Sequence, residues 1–143
     1  MTKILYTTEA TATGAGRGGG HSATKDGKVS VDLSVPKAMG GDDGPGTNPE
    51  QLFASGYAAC FLGALHVVAG REKTKLPEGS TITATISFAD REDNVGFTVV
   101  PVLTGHFPGL SKAEGEALMQ KGHQVCPYSN LITKAHEVKL TVA

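Results

Sequence analysis

The stretch Asn48-Pro-Glu-Gln-Leu-Phe-Ala-Ser-Gly-Tyr-Ala-Ala-Cys-Phe-Leu-Gly-Ala-Leu-His-Val-Val-Ala-Gly-Arg-Glu-Lys73 decides the fold. Its first four residues read as a helix start. Asn48 can cap, Pro49 suits the first helical position, where its missing N–H costs nothing, and Gln51 sits where a capping-box side chain reaches back. From Leu52 to Val68 the sequence is apolar almost all round, so this helix, expected to run to about Lys73, is predicted to be the central buried element. Leu52–Ala69 comes near the length of a membrane span. It contains Ser55, Gly56 and His66, however, and Glu50, Arg71, Glu72 and Lys73 flank it closely. A span needs ~20 predominantly apolar residues, so a core helix is expected instead.

Outward from this helix, the chain reads as strands. Residues 4–12 alternate weakly (Ile4, Tyr6, Thr8, Ala10) and suit a strand. His21–Lys25 and Lys28–Val35 flank Asp26-Gly27, a dipeptide that favours a type I′ hairpin turn. The second arm sets Val29, Val31, Leu33 and Val35 on one face and Lys28, Ser30, Asp32 and Ser34 on the other, the pattern of a half-buried antiparallel strand. Pro36–Thr47 is a glycine-rich loop. Downstream, Thr81–Ala89 alternates Ile82, Ala84, Ile86 and Phe88 with hydroxyl residues, and Phe97–Phe107 forms its partner arm. Pro101 within that arm implies an edge position or a bulge. Ser111-Lys-Ala-Glu114 is a capping box that opens a second helix, expected to end near Val125 because proline disfavours helical geometry in the residue before it. A short helical turn over Asn130–Lys134 and a closing strand over Glu137–Val142 complete the prediction: one α+β domain, residues 1–143, with antiparallel pairing.

Composition narrows the function. Thirteen Lys and Arg against fourteen Asp and Glu give a net charge of −1, with neither the basic face of a nucleic-acid binder nor a polybasic patch for a membrane surface. Two cysteines are too few for a disulfide-stapled secreted scaffold. The N-terminus carries no apolar signal core, so a cytoplasmic protein is expected, whose cysteines rest as thiols. Glycine is in excess at 19 of 143 residues, against a usual ~7%.

Several motifs offer chemistry. Gly14-x-Gly16-x-x-Gly19 matches the dinucleotide fingerprint, but no helix opens at its last glycine, so a nucleotide site is rejected. Arg17, set among glycines, is then either a solvated loop cation or a group able to swing into a site. Cys60, mid-helix, is either a small inert hydrophobe or a nucleophile that needs a nearby cation; Arg17 suits that role better than Arg71, ~16 Å further along the helix. Glu50 either complements the helix dipole or holds an arginine fork bidentately. On an ideal helix it stands ~15 Å from Cys60 along the axis, a weakness in any direct trio. Cys126-Pro-Tyr-Ser129 looks like a dithiol motif with its second cysteine replaced, yet it closes a helix near the chain end, which excludes a glutaredoxin. The five histidines form no HxxxH pair, and His123 with Cys126 is too few ligands for zinc.

Taken together, Gly46-Thr-Asn-Pro-Glu-Gln-Leu-Phe-Ala-Ser-Gly-Tyr-Ala-Ala-Cys-Phe61 and Val125-Cys-Pro-Tyr-Ser-Asn130 resemble the organic hydroperoxide resistance (Ohr) branch of the Ohr/OsmC superfamily. The likeness spans nearly the whole chain, though Leu-Ile-Thr-Lys-Ala-His after Asn130 fits less closely. It implies an intertwined homodimer in which antiparallel sheets wrap long central helices. It further implies a thiol peroxidase that reduces alkyl or fatty-acid hydroperoxides. Cys60 would be the peroxidatic residue, Cys126 the resolving one, and Arg17 with Glu50 the activating pair. The implied partners are the organic hydroperoxide, a lipoyl-bearing protein whose dihydrolipoamide is the external dithiol reductant, and a second copy of the chain. No metal or other cofactor, nucleic acid or membrane is implied. Phe53, Phe61, Met39 and Tyr128 are candidates for an apolar approach, or equally ordinary core. Two alternatives stay open: an OsmC-like peroxidase of broader specificity, and a non-catalytic thiol redox sensor or ligand-binding module.

Overall fold

The computed structural model describes residues 2–143, and their order is β1 (Ala10–Thr13), β2 (His21–Thr24), β3 (Ser30–Asp32), α1 (Pro49–Arg71), β4 (Thr81–Asp90), β5 (Phe97–His106), α2 (Lys112–Val125) and α3 (Pro127–Thr133). The fold class is α+β, with both sheets antiparallel. The chain divides into two units, residues 1–52 and 53–143, with the boundary inside the first turn of α1.

In the first unit, β2 lies between β1 and β3. The turn after β2 differs from the expected type I′, which would need positive φ at both central residues. Only Gly27 has one, at +74°. Thr24 instead pairs across a longer loop: its N–H donates to the Val29 carbonyl at 2.8 Å and its carbonyl accepts from Gly27 N–H at 2.9 Å. The Asp26 carboxylate accepts from Lys28 N–H at 3.0 Å, a local bond that draws the dipeptide out of the mirror-image turn. β3 is correspondingly shorter than the predicted arm, and Leu33 beyond it is buried.

Helix α1 begins where the sequence says it should. Asn48 Oδ1 accepts from Gln51 N–H at 2.9 Å. The return arm of a capping box is not made, however, because Gln51 Oε1 accepts from the Thr47 hydroxyl at 2.7 Å. By length and composition α1 could cross a membrane. In the second unit it supplies the core instead, through Tyr57, Phe61, Ala64 and Leu65. Burial falls on one stripe, continued by Val68 and Ala69, while Val67 on another face is 46% exposed. The expectation of a helix buried all round therefore holds for only part of its circumference within a single chain.

β4 and β5 pair antiparallel along their whole length, from Thr81 with His106 to Asp90 with Phe97. β5 has one neighbour, so Pro101, opposite Ile86, takes the edge position its missing N–H demands. The Ser111 box at the start of α2 is complete in both directions. Gly122 lets α2 close onto α1, since a Cβ there would fall 2.5 Å from Leu65 Cδ2 and 3.1 Å from the Phe61 ring. Overpacking of this kind costs about 1–3 kcal/mol, and helix propensity offsets at most about 1. Gly122→Ala should therefore lower stability by about 1–2 kcal/mol in urea unfolding.

Of the two terminal strands expected, Glu137–Val142 is absent and the one over residues 4–12 is cut back to β1, which starts at Ala10. Residues 2–9 and 134–143 carry no regular structure, and Leu5, Leu140 and Val142 are 86%, 88% and 99% exposed. A strand exists only with a partner for its N–H and C=O groups. The pairing of β1 with β2 runs out at Glu9, whose carbonyl accepts from Lys25 N–H at 3.2 Å, and among the described residues no strand pairs with residues 134–143. The short helix also starts earlier than expected, at Pro127 rather than Asn130, with Cys126 extended at its N-cap and proline at the first helical position.

Candidate active site

Each unit holds one half of the predicted residue set. In the first, the Gly-Arg-Gly loop forms a single 3-10 turn, Gly16–Gly18. Gly16 has φ +57°, and a Cβ at Gly20 would fall 2.1 Å from the Thr13 carbonyl, so the turn needs glycine at both places. It presents Arg17 to Glu50 as a fork: Nη1 donates to Oε2 at 3.2 Å and Nη2 to Oε1 at 2.5 Å. Glu50 stands in the first turn of α1 and is 13% exposed at its side chain, against 40% for Arg17. Of the two readings open for this carboxylate, the contact seen is the bidentate arginine fork.

The hydrogen bond from Arg17 holds the Glu50 carboxyl below its ordinary value of 4.5, opposed by burial. A carboxyl whose folded value is depressed stabilises the fold fully above its unfolded value and loses that contribution as pH falls through the folded one. The clamp should therefore be intact at and above about pH 4.5 and fail in more acid solution. Glu50→Gln should remove this acid limb from a plot of thermal midpoint against pH; an unchanged limb would assign it to other carboxylates.

In the second unit, Cys60 on α1 and Cys126 at the junction of α2 and α3 are free thiols with their Sγ atoms 3.7 Å apart. Cys126 is fully buried, whereas Cys60 is partly open. Burial pushes the Cys60 thiol above its ordinary value, and the adjacent Cys126 sulfur adds to the rise. The Tyr128 backbone N–H donates to the Cys60 sulfur and pulls the other way. No local pattern around Cys60 pointed to this donor. The Cys126-Pro127 pair was the available signal, since an extended residue before proline can begin a helix as well as end one.

Around the sulfurs lies an aromatic cluster. Phe53 stacks on Tyr128 at 6.0 Å between ring centroids, and Tyr57 meets Tyr128 edge-on at 5.8 Å. Tyr57 Oη and Ser129 Oγ, both buried, are hydrogen-bonded at 2.7 Å. Of the residues considered for an apolar approach, Phe53 and Tyr128 belong to this cluster and Phe61 to the core. Met39, in the first unit, ends a 3-10 turn. A cavity of about 740 Å³ in the second unit is lined by Phe61, Leu103, Phe107, Leu110 and Met119, with His123 among its polar members.

The arrangement defines a two-thiol site on an α+β scaffold. Comparison with known proteins agrees. The model of the OsmC-like protein family matches residues 40–141. An organic hydroperoxide resistance protein of Xanthomonas axonopodis pv. citri is 47% identical over 141 residues, covering 99% of this chain and 96% of that one. Among solved structures, an organic hydroperoxide resistance protein from Legionella pneumophila superposes with a TM-score of 0.83 at 46% identity, covering 92% of both chains. OhrB of Bacillus subtilis superposes with a TM-score of 0.79 at 37% identity, covering 91% of this chain and 93% of that one. The chain belongs to the OsmC/Ohr family.

Proposed function

We propose that this protein is a cysteine-based organic hydroperoxide reductase, with Cys60 as peroxidatic residue and Cys126 as resolving residue. The observation that carries this reading is the pair of thiols 3.7 Å apart, one partly open and one fully buried. The Cys60 thiolate attacks the distal oxygen of the hydroperoxide. The S–O bond forms as the O–O bond breaks, and the departing alkoxide takes a proton to become an alcohol. Cys126 then attacks the sulfenic sulfur, forming the disulfide and expelling the hydroxyl, with the Cys126 proton, as water. Dihydrolipoamide on a lipoyl-bearing protein reduces the disulfide by thiol exchange and leaves as the cyclic disulfide. No metal, flavin or haem takes part.

Arg17 supplies the cation. Burial and the Cys126 sulfur keep the resting Cys60 protonated, so a thiolate at neutral pH needs positive charge brought to it. A guanidinium oriented by Glu50 lowers the thiol pKa and steadies the developing alkoxide. The aromatic cluster of Phe53, Tyr57 and Tyr128 beside the sulfurs supports an apolar substrate such as an alkyl or fatty-acid hydroperoxide. Residues 1–143 act as one domain of a cytoplasmic homodimer. The exposed terminal segments and the uncovered apolar side of α1 support that assembly, because a second copy would cover them.

Cys126→Ser tests the resolving step. The variant should reduce the first equivalent of hydroperoxide and then stall, with turnover under dihydrolipoamide reduced on the order of tenfold or more and Cys60 driven to sulfinic acid. Undiminished turnover without over-oxidation would remove Cys126 from the mechanism.

A further inference from the structure

Two of the contacts that join α1 to the turn Cys126-Pro127-Tyr128-Ser129 run in parallel. Tyr57 and Cys60 are three residues apart on α1, neighbours on one helix face. Cys126 and Ser129 are likewise three apart across the first turn of α3. One rung is the pair of sulfurs at 3.7 Å, the other the Tyr57–Ser129 hydrogen bond at 2.7 Å. Ser129 is 0% and Tyr57 3% exposed, and Ser129 is the one buried polar side chain among the described residues apart from the tyrosine it meets. The rest of this contact is apolar and aromatic, which resists separation but tolerates sliding. A short hydroxyl–hydroxyl bond is directional and fixes one register.

Resting on the peroxidase reading above, we propose that Tyr57 and Ser129 are positioning residues for disulfide formation. Their hydrogen bond holds the Cys126 turn so that its thiol meets the Cys60 sulfenic acid. The reaction draws the sulfurs from 3.7 Å to a bond of about 2.05 Å, with the hydroxyl of the sulfenic acid leaving as water. A misplacement of ~1 Å at this stage can cost ~10²-fold in rate. The Tyr128 N–H that donates to the Cys60 sulfur rides on the same turn, one residue before Ser129.

The test is a partition measured at equal extents of peroxide consumption, so that any change in the first oxidation drops out. Wild type, Tyr57→Phe, Ser129→Ala and the double variant are treated with one equivalent of tert-butyl hydroperoxide in the presence of a sulfenic-acid trap. Intact mass and peptide mapping then give trapped Cys60 against Cys60–Cys126 disulfide. Wild type should yield disulfide almost alone, and each variant at least ~10-fold more trapped Cys60. The double variant leaves no buried hydroxyl unpaired, so its thermal midpoint should lie above those of the singles while its partition stays poor; a purely structural role would restore both. Tyr57→Phe keeps the ring and removes one oxygen, so it provides the measurement should Ser129→Ala not fold. A wild-type partition in folded Tyr57→Phe or in the double variant would overturn the positioning role. If wild type forms neither sulfenic acid nor disulfide at Cys60, the peroxidase reading itself has failed.

Discussion

Replacing Cys60 by serine is expected to abolish organic hydroperoxide reduction, with a loss on the order of 10³-fold or more, and to leave the fold intact. The thiolate is soft and nucleophilic toward a peroxide oxygen, whereas a serine hydroxyl stays protonated and has no counterpart to the sulfenic acid. The substitution is nearly isosteric, and Cys60 is only half-buried beside the aromatic cluster, so no cavity is opened in the core. Consumption of tert-butyl hydroperoxide under dihydrolipoamide, followed alongside the thermal midpoint, separates chemical loss from unfolding. Surviving activity would move the nucleophile elsewhere, and the sequence holds only one other sulfhydryl, the fully buried Cys126.

Arg17→Met should cost ~10²–10³ in kcat/KM, the range seen when one preorganised charge donor is removed from a developing anion. Methionine keeps an extended apolar stem while deleting the fork that binds both oxygens of Glu50. Two further results follow if the cation serves the thiol. The Cys60 thiol loses its opposing charge and titrates at higher pH, so the residual activity should climb toward alkaline pH further than wild type does. The Glu50 carboxyl loses the hydrogen bond that depresses it and should titrate closer to 4.5 or above. Lysine at position 17 would restore charge without the fork, and only partial recovery is expected. Arg17→Met with undiminished kcat/KM would reduce the clamp to a structural ion pair.

The features legible from sequence were those carried by local chemistry. Asn48-Pro49 opened α1, the Ser111–Glu114 box opened α2, and the alternation of Ile82, Ala84, Ile86 and Phe88 gave β4. The turn at Asp26-Gly27 was legible but its type was not, because the bond from Lys28 N–H to the Asp26 carboxylate outcompeted the dipeptide's usual preference. Alternation overstates the terminal strands because it marks a segment able to pair and says nothing of where its partner is: the N-terminal strand starts only at Ala10, and Val138, Leu140 and Val142 alternate yet are solvent-exposed. Arg17 with Glu50 and Cys60 with Cys126 are separated by 33 and 66 residues, and no local rule spans such distances. Family resemblance singled these residues out, and physical chemistry then says what each pair can do. The Tyr57–Ser129 bond had no signal at all, since an alanine-rich helix and a Cys-Pro-Tyr-Ser turn carry no mark of one buried hydroxyl pair.

The most direct measurement is wild-type turnover of tert-butyl hydroperoxide against hydrogen peroxide, each with dihydrolipoamide as reductant. A Cys60 peroxidase built for apolar substrates should complete many cycles and favour the organic hydroperoxide by at least ~10-fold in kcat/KM, or about 1.4 kcal/mol. Equal rates for the two peroxides, or a single stoichiometric oxidation without turnover, would contradict it.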